Sequence, residues 1–331
     1  MATERFEQRA FQDVSFTAKV DLLFALAISQ NTQRQCHLGD LSPVPIVSII
    51  MSMRDSAATL NSAIRSIIWQ TLTDWELVLI DDGSRDDSAA RAATFGDPRI
   101  RIIRHKESRG LACRLNEAVR LARGEFIARM DADDISYPQR LAAQVALLRS
   151  ESSLDVVACK TLVFRGDGDP VGIFPVAIDH AGITSRPLSG FRFPHPTWCG
   201  RAAWFRKHRY NERMFKAQDQ ELLLRTAATS RFASVDAVLL GYRQQDLDLG
   251  KSIKGRALFS RAIWTEGRKS GQYAHAMSAI LAQVAKCAVD AVAIGLDLQN
   301  LLIKRRYFPV PAEEIVQWRS VWAAMTAGRE H

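Results

Sequence analysis

Along the first half of the chain, unbroken apolar runs alternate with segments whose apolar residues recur every third or fourth position. "PIVSIIMS" is a continuous β-branched apolar run, as expected of a strand buried on both faces; "WELVLIDDGS" reads as a second buried strand, and "RIRIIRH" and "GEFIARMD" as a third and a fourth. Between them, Leu60, Ile64, Ile67 and Ile68, then Leu111, Leu115, Ala118, Val119 and Ala122, keep helical spacing. Pro138 with Leu141, Val145 and Leu148 opens a further helix, and Ser136 followed by Gln139 predicts a capping box at its start. Strands alternating with helices predict an α/β fold: a Rossmann-like, mostly parallel, doubly wound sheet flanked by helices.

The second half is less regular. "LDVVACKTLVF" and "RFASVDAVLLGYRQ" read as strands, "FRFPHPTWCG" as a proline-stiffened loop and "AQDQELLLRTAAT" as a helix. After residue 250 the pattern is helical to the end, a C-terminal helical extension. Gln283, Lys286, Asp290, Asp297, Asn300 and Lys304 fall on one stripe, with Met277, Leu281, Val284, Ala288, Leu298 and Leu302 facing elsewhere. That is an amphipathic helix, and Asp290 and Asp297 exclude a simple transmembrane span. It runs into the basic-aromatic "KRRYF". "PAEEIVQWRSVW" predicts a proline-opened helix whose Trp318 and Trp322 share a face that docks on protein or touches membrane.

Boundaries follow from punctuation. Residues 1–43 form a mixed-charge leader ending in "LSPVP", whose prolines mark a break. Its one apolar run, "LLFALAIS", is too short to span a bilayer and follows acids at Glu4, Glu7 and Asp13, so it reads as a short helix face rather than a secretory signal. Residues 44–248 hold the α/β pattern, divisible into 44–150 and 151–248, and 249–331 the helical region.

Composition narrows the picture modestly. The chain has 331 residues, 47% hydrophobic and 24% charged, as in a globular protein. Its 44 basic against 36 acidic residues give +8, which suits nucleic acid, an anionic membrane or a phosphorylated ligand equally. No nucleic-acid motif accompanies the charge, so no nucleic-acid partner is expected. Five cysteines without a CxxC pair argue for free thiols in a reducing, cytoplasmic compartment, against a disulfide frame or zinc site.

Chemistry enters through the acids. In doubly wound sheets ligands bind beyond the carboxyl ends of the strands, and there this chain places Ser52 and Asp55, Asp81 and Asp82, and Asp131, Asp133 and Asp134. A D-x-D pair around a turn can share a hard divalent cation, Mg²⁺ or Mn²⁺, completed by substrate phosphates. The plainer reading is an acid-rich turn at a helix N-terminus, where acids are favourable anyway. Asp82 in "IDDGS" can accept from a base N–H; the plainer reading is turn geometry.

"PIVSIIMSMRDSAATLNSAIRSIIWQTLTDWELVLIDDGSRDDS" and "RGLACRLNEAVRLARGEFIARMDADDISYPQRL" resemble glycosyltransferase family 2, of the bacterial surface-polysaccharide type, over about residues 45–245. The resemblance implies a GT-A fold and inverting, metal-dependent transfer from a nucleotide-diphosphate-sugar, a UDP-sugar by preference, to a saccharide or lipid-linked acceptor. It makes 44–248 the catalytic domain, with a nucleotide-sugar part (44–150) and an acceptor part (151–248). It assigns Ser52, Asp55 and Asp82 to the nucleoside, and Asp131 and Asp133 to the D-x-D pair, with Asp133 the direct ligand of Mg²⁺ or Mn²⁺. Asp131 would also lie near the ribose, Arg114 near the phosphates, and Asp219 would be the general base. His195, in "PHPTW", would assist near the phosphates or bind metal; a structural loop histidine is the equal alternative.

The chain departs from the family pattern at Ser52-Met53-Arg54-Asp55, where Pro-x-Tyr-Asn is usual, and at Gln218-Asp219, where Glu-Asp is commoner. Those departures favour the alternative of a relative that has lost catalysis and serves as a scaffold or binding protein. The C-terminal helices suit either peripheral attachment to the cytoplasmic face of the inner membrane or packing on the catalytic domain.

Overall fold

The computed structural model describes residues 44–245, 248–299, 301 and 305–327. The "LLFALAIS" segment, Asn300, Leu302 and Lys304 lie outside the described residues.

Four parallel strands form the first half of one nine-stranded sheet. β1 (Val47–Met53) pairs β2 (Trp75–Asp81) from Val47–Trp75 to Met53–Asp81, and also pairs β4 (Phe126–Arg129); β2 pairs β3 (Ile100–Arg104). All seven β2 residues are buried, including Glu76. That carboxylate accepts from Ser48 Oγ at 2.6 Å, the Arg123 N–H at 2.7 Å and Arg101 Nη1 at 3.0 Å. Burial opposes its charge, yet these donors hold its pKa below the usual range. The crossovers carry α1 (Leu60–Ile68), α2 (Ser88–Ala93) and α3 (Leu111–Leu121); α1 and α3 match the apolar spacing of the sequence, and the six-residue α2 carried no such signal.

The second half is mixed. β5 (Ile135–Ser136), β6 (Val156–Arg165), β7 (Asp169–Ile173), β8 (Cys199–Arg201) and β9 (Phe232–Arg243) complete the order β3-β2-β1-β4-β8-β6-β9-β5, with β7 on β6. β8 runs antiparallel to both β4 and β6, so the "FRFPHPTWCG" segment ends as a strand that joins the halves. α4 (Arg140–Ser150) follows β5, but the expected capping box does not form. Gln139 makes no side-chain cap, because Ser136 is held in β5 opposite Leu240 and its hydroxyl meets Gln70 Nε2 at 3.0 Å. Short helices α5 (His180–Thr184) and α6 (Ala202–Lys207) precede α7 (Gln218–Thr226).

Successive strand residues alternate between two apolar layers: Ile49, Met51, Leu77 and Leu79 to one, Ile50, Val78 and Ile80 to the other. Each sheet face is therefore covered. α10 (Ala312–Thr326) completes the first layer through Trp318, wholly buried, whose Nε1 donates to Gly168 O at 2.6 Å. Gly241 on β9 admits that indole, since a Cβ there would collide with it. The tryptophan face of this helix thus docks on the sheet. α8 (Leu249–Lys269) and α9 (Tyr273–Gly295) form a hairpin; α9 stops at Gly295, short of the run the sequence stripe predicts, and Asp297 turns the chain with φ 53°.

Candidate active site

The carboxyl ends of β1, β2 and β4 converge, and each brings acids. Past β4, one ligand oxygen from each of Asp131, Asp133 and Asp134 lies within 4.8 Å of the others. Three hydrogen bonds from two residues tie the turn down. Thr59 Oγ1 donates to Ala132 O at 3.0 Å, Arg243 Nε to Asp133 O at 3.1 Å, and the Arg243 N–H to Asp134 Oδ1 at 2.9 Å. Asp134, left without a role by sequence, thus anchors the turn to the end of β9.

These acids are under-compensated. Asp131 pairs with Arg129, a guanidinium whose Nε and Nη1 are buried without a partner. Asp134 Oδ2 is likewise buried and unpartnered. Burial and the Asp131 charge push Asp133 up to about 6, and burial with Asp133 and Asp131 pushes Asp134 well above the carboxylate range. A buried carboxylate oxygen without a donor requires a proton or a cation. Three clustered carboxylates with hard oxygen donors suit Mg²⁺ or Mn²⁺, so the residues fit the cation the sequence predicts.

The β2 end is arranged differently. Asp82 accepts from Ser108 Oγ at 2.7 Å, the Arg109 N–H at 2.7 Å, the Gly110 N–H at 2.9 Å and Arg114 Nε at 2.6 Å. Burial opposes its charge, but these four donors hold its pKa below the usual range. A carboxylate offers about four acceptor positions, and all four are engaged; Asp82 shapes the 107–110 loop. Arg114 is equally committed: Nη1 meets Glu117 at 3.1 Å and Nη2 donates to Glu107 O at 2.7 Å. Its side chain is 3% exposed. Nε, Nη1 and Nη2 of Arg114 are thus each engaged by the protein, joining α3 to the 107–110 loop and the end of β2.

Asp55 sits just past β1 with φ 49° and accepts from the Arg85 N–H at 2.8 Å, while half its side chain stays exposed. Ser52 is half-buried beside it. Both lie at the carboxyl end of β1. Asp81 is buried, with Oδ1 capping the Ser84 N–H at 2.8 Å, which is turn geometry.

Asp219 lies in the first turn of α7, half-buried, after Ala217 in the left-handed region at φ 54°. His195 lies outside the three-acid cluster. Its Nε2 meets the Tyr210 hydroxyl at 2.8 Å, and its ring packs edge-on to Trp198. Burial, then Arg129, holds its pKa well below the usual histidine range, so the imidazole is neutral. Tyr210 is held up by burial, and both Asp219 and Asp131 act on its hydroxyl in the same direction, with Arg129 opposed. The His195–Tyr210 pair thus stands within the fields of the expected base and of the D-x-D turn. Asn116 fixes it by donating to Tyr210 O at 2.9 Å and accepting from the Tyr210 N–H at 2.9 Å. Sequence reasoning missed Tyr210, which belongs to no motif. Arg129, two positions before Asp131, stood out in the sequence as the adjacent ion-pair partner of these acids, and the structure pairs it with Asp131.

Residues 48–208 match the family model described as "Glycosyl transferase family 2". EpsE of Bacillus subtilis, named as a glycosyltransferase, is 35% identical over 187 residues, 55% of this chain and 66% of its own length. WfgD of Escherichia coli, a UDP-Glc:alpha-D-GlcNAc-diphosphoundecaprenol beta-1,3-glucosyltransferase, is 35% identical over 103 residues, covering 31% of this chain and 41% of its length. The chain thus spans less than two thirds of either relative. A crystal structure of S. aureus TarS in complex with UDP superposes with TM-score 0.56 at 19% identity, over 84% of this chain and 79% of that one. The sheet with its flanking helices therefore has the GT-A fold.

Proposed function

Since the chain belongs to glycosyltransferase family 2, we propose that it transfers a sugar from a nucleotide-diphosphate-sugar, a UDP-sugar by preference, to a saccharide or lipid-linked saccharide during polysaccharide assembly. The observation that carries this reading is the D-x-D turn, where Asp133 is raised to about 6 beside an unpartnered Asp134 oxygen. The acceptor class is supported by WfgD, whose acceptor is a diphosphoundecaprenol-linked sugar.

Asp131 and Asp133 would hold the divalent cation. When bound, it supplies positive charge against the departing nucleoside diphosphate. Ser52 and the exposed side of Asp55 border the nucleoside. Asp219 takes the proton of the acceptor hydroxyl as that oxygen bonds to the anomeric carbon and the carbon–phosphate-oxygen bond breaks. One displacement inverts the anomeric centre, unlike the two-carboxylate route of retaining hydrolysis. Arg129 supplies a fixed buried cation below the turn. His195, neutral and hydrogen-bonded to Tyr210, holds a tyrosine on which both Asp131 and Asp219 act.

A thermal-shift screen of nucleotide-sugars with and without Mn²⁺ tests this. Stabilisation by a UDP-sugar that needs Mn²⁺ and vanishes in Asp133→Ala is expected. Equal stabilisation by the donor without Mn²⁺, and in Asp133→Ala, would refute the cation role.

A further inference from the structure

α9 is turned inside out relative to a helix that packs on a protein core. Its buried positions include Gln283 and Asp290, which face α8. Asp290 accepts from Ser252 Oγ at 2.8 Å, Arg256 Nη2 at 2.8 Å and Arg306 Nη2 at 2.5 Å, and Arg256 Nη1 donates to Gln283 at 3.1 Å. The apolar stripe of Met277, Leu281, Val284, Val289, Val292 and Leu296 points outward, each between 47% and 65% exposed. A surface helix normally buries that stripe, and an exposed apolar patch of this kind marks an interaction site.

Charge identifies what covers it. Residues 249–306 contain ten Lys and Arg against three Asp and Glu, leaving 34 against 33 for the rest of the chain. Nearly all the excess positive charge therefore belongs to the element that exposes the apolar stripe. Lys251, Lys254, Arg261, Arg268 and Lys269 on α8, and Arg305 beyond α9, are exposed. Arg305 also lines a groove of about 350 Å³ with Val289, Val292, Leu298 and Leu301. The net excess of seven positive charges, ten against three, would repel that of a second copy across a symmetric contact, whereas anionic lipid satisfies both charge and apolar surface.

We infer that the α8–α9 hairpin seats the protein on an anionic bilayer, with α9 lying in the interface plane. The length and composition of α9, with mean hydropathy 1.6, would allow it to cross a membrane. The Asp290–Arg256–Arg306 cluster argues against crossing, since it clamps the polar side of the helix to α8. The seat adjoins the proposed chemistry: Ala217 and Gln220 of the segment bearing Asp219 share a cavity with Arg256 and Lys286. A lipid-linked acceptor in that bilayer would enter beside the base.

Flotation of the full chain with phosphatidylcholine vesicles, with or without phosphatidylglycerol, tests the seat independently of any sugar transfer. Binding should require the anionic lipid and weaken with salt, falling about fivefold for each cation removed in Lys254→Gln and Arg261→Gln. Leu281→Ser with Val292→Ser, both solvent-exposed changes, should abolish flotation while circular dichroism and melting stay as in the parent. Failure of the folded parent to float on either vesicle would overturn the proposal. So would unchanged flotation of the double variant, or its conversion from dimer to monomer in light scattering, which would assign the stripe to a second copy. Because flotation involves no donor, this result stands apart from that of the donor screen.

Discussion

Arg114 Nε lies 2.6 Å from Asp82 Oδ1, joining the end of β2 to α3 through two side chains that are each no more than 5% exposed. The pair belongs to the loop architecture beneath the crevice. Arg114→Met should therefore destabilise the fold by about 3 kcal/mol, since it strips the charge partner from a buried carboxylate. Urea unfolding measures the loss. A phosphate ligand exposed to solvent would instead leave stability unchanged and raise KM for the donor.

Cation affinity should depend on pH through Asp133. Its carboxyl is raised to about 6 by burial and Asp131, so below that pH a proton competes with the metal. Apparent Mn²⁺ affinity, measured by titration calorimetry, should fall as pH drops through about 6. Without metal the sign for stability is opposite. The folded state holds the proton more tightly than the unfolded chain, so this group's contribution to stability falls as pH rises from the ordinary carboxylate range to about 6. Asp133→Asn should remove both dependences.

His195 contributes with the other sign. Its pKa is depressed by burial and by Arg129, so the unfolded chain binds the extra proton first and stability is lost as pH falls below the ordinary histidine range. His195→Asn should flatten the acid side of the melting profile relative to the parent. Tyr210→Phe should cost about 1–3 kcal/mol by leaving the imidazole Nε2 unpartnered. Calorimetric melting across pH reads both.

Gly241→Ala should displace Trp318, because the added Cβ would collide with a ring that is 0% exposed. The overpacking cost is about 1–3 kcal/mol. Tryptophan emission should shift to the red as α10 loosens, whereas unchanged emission and stability would mean that the helix docks elsewhere.

Which parts of this were readable from sequence follows from the physics of each. β1, β2 and β4 are buried on both faces, so their apolar runs announced them, and the acids that follow could only sit at the crevice edge. The D-x-D turn was legible from its place at a buried strand end downstream of "DDGS", which outweighed the plainer reading of acids at a helix N-terminus. Asp82 and Arg114 were legible as residues but not as partners, since 32 positions separate them and no periodicity reports a tertiary ion pair. β5 is two residues long and carries too little pattern to detect, which is also why Ser136 looked like a helix cap. The stripe on α9 was correctly periodic, yet periodicity cannot say which side faces the protein; Ser252, Arg256 and Arg306 decided it by pairing with Asp290. Trp318, four residues from Trp322, gave its face but not its destination.

The central claim is metal-dependent sugar transfer with Asp133 on the cation and Asp219 as base, and single-turnover release of UDP in the presence of acceptor and Mn²⁺ tests it most directly. The parent should release UDP and lose that release when Mn²⁺ is chelated. Asp219→Asn should retain donor binding while its rate falls about 10²–10⁴-fold, and Asp133→Ala should lose both. Release at the parent rate by either variant, or in the absence of divalent cation, would contradict the account.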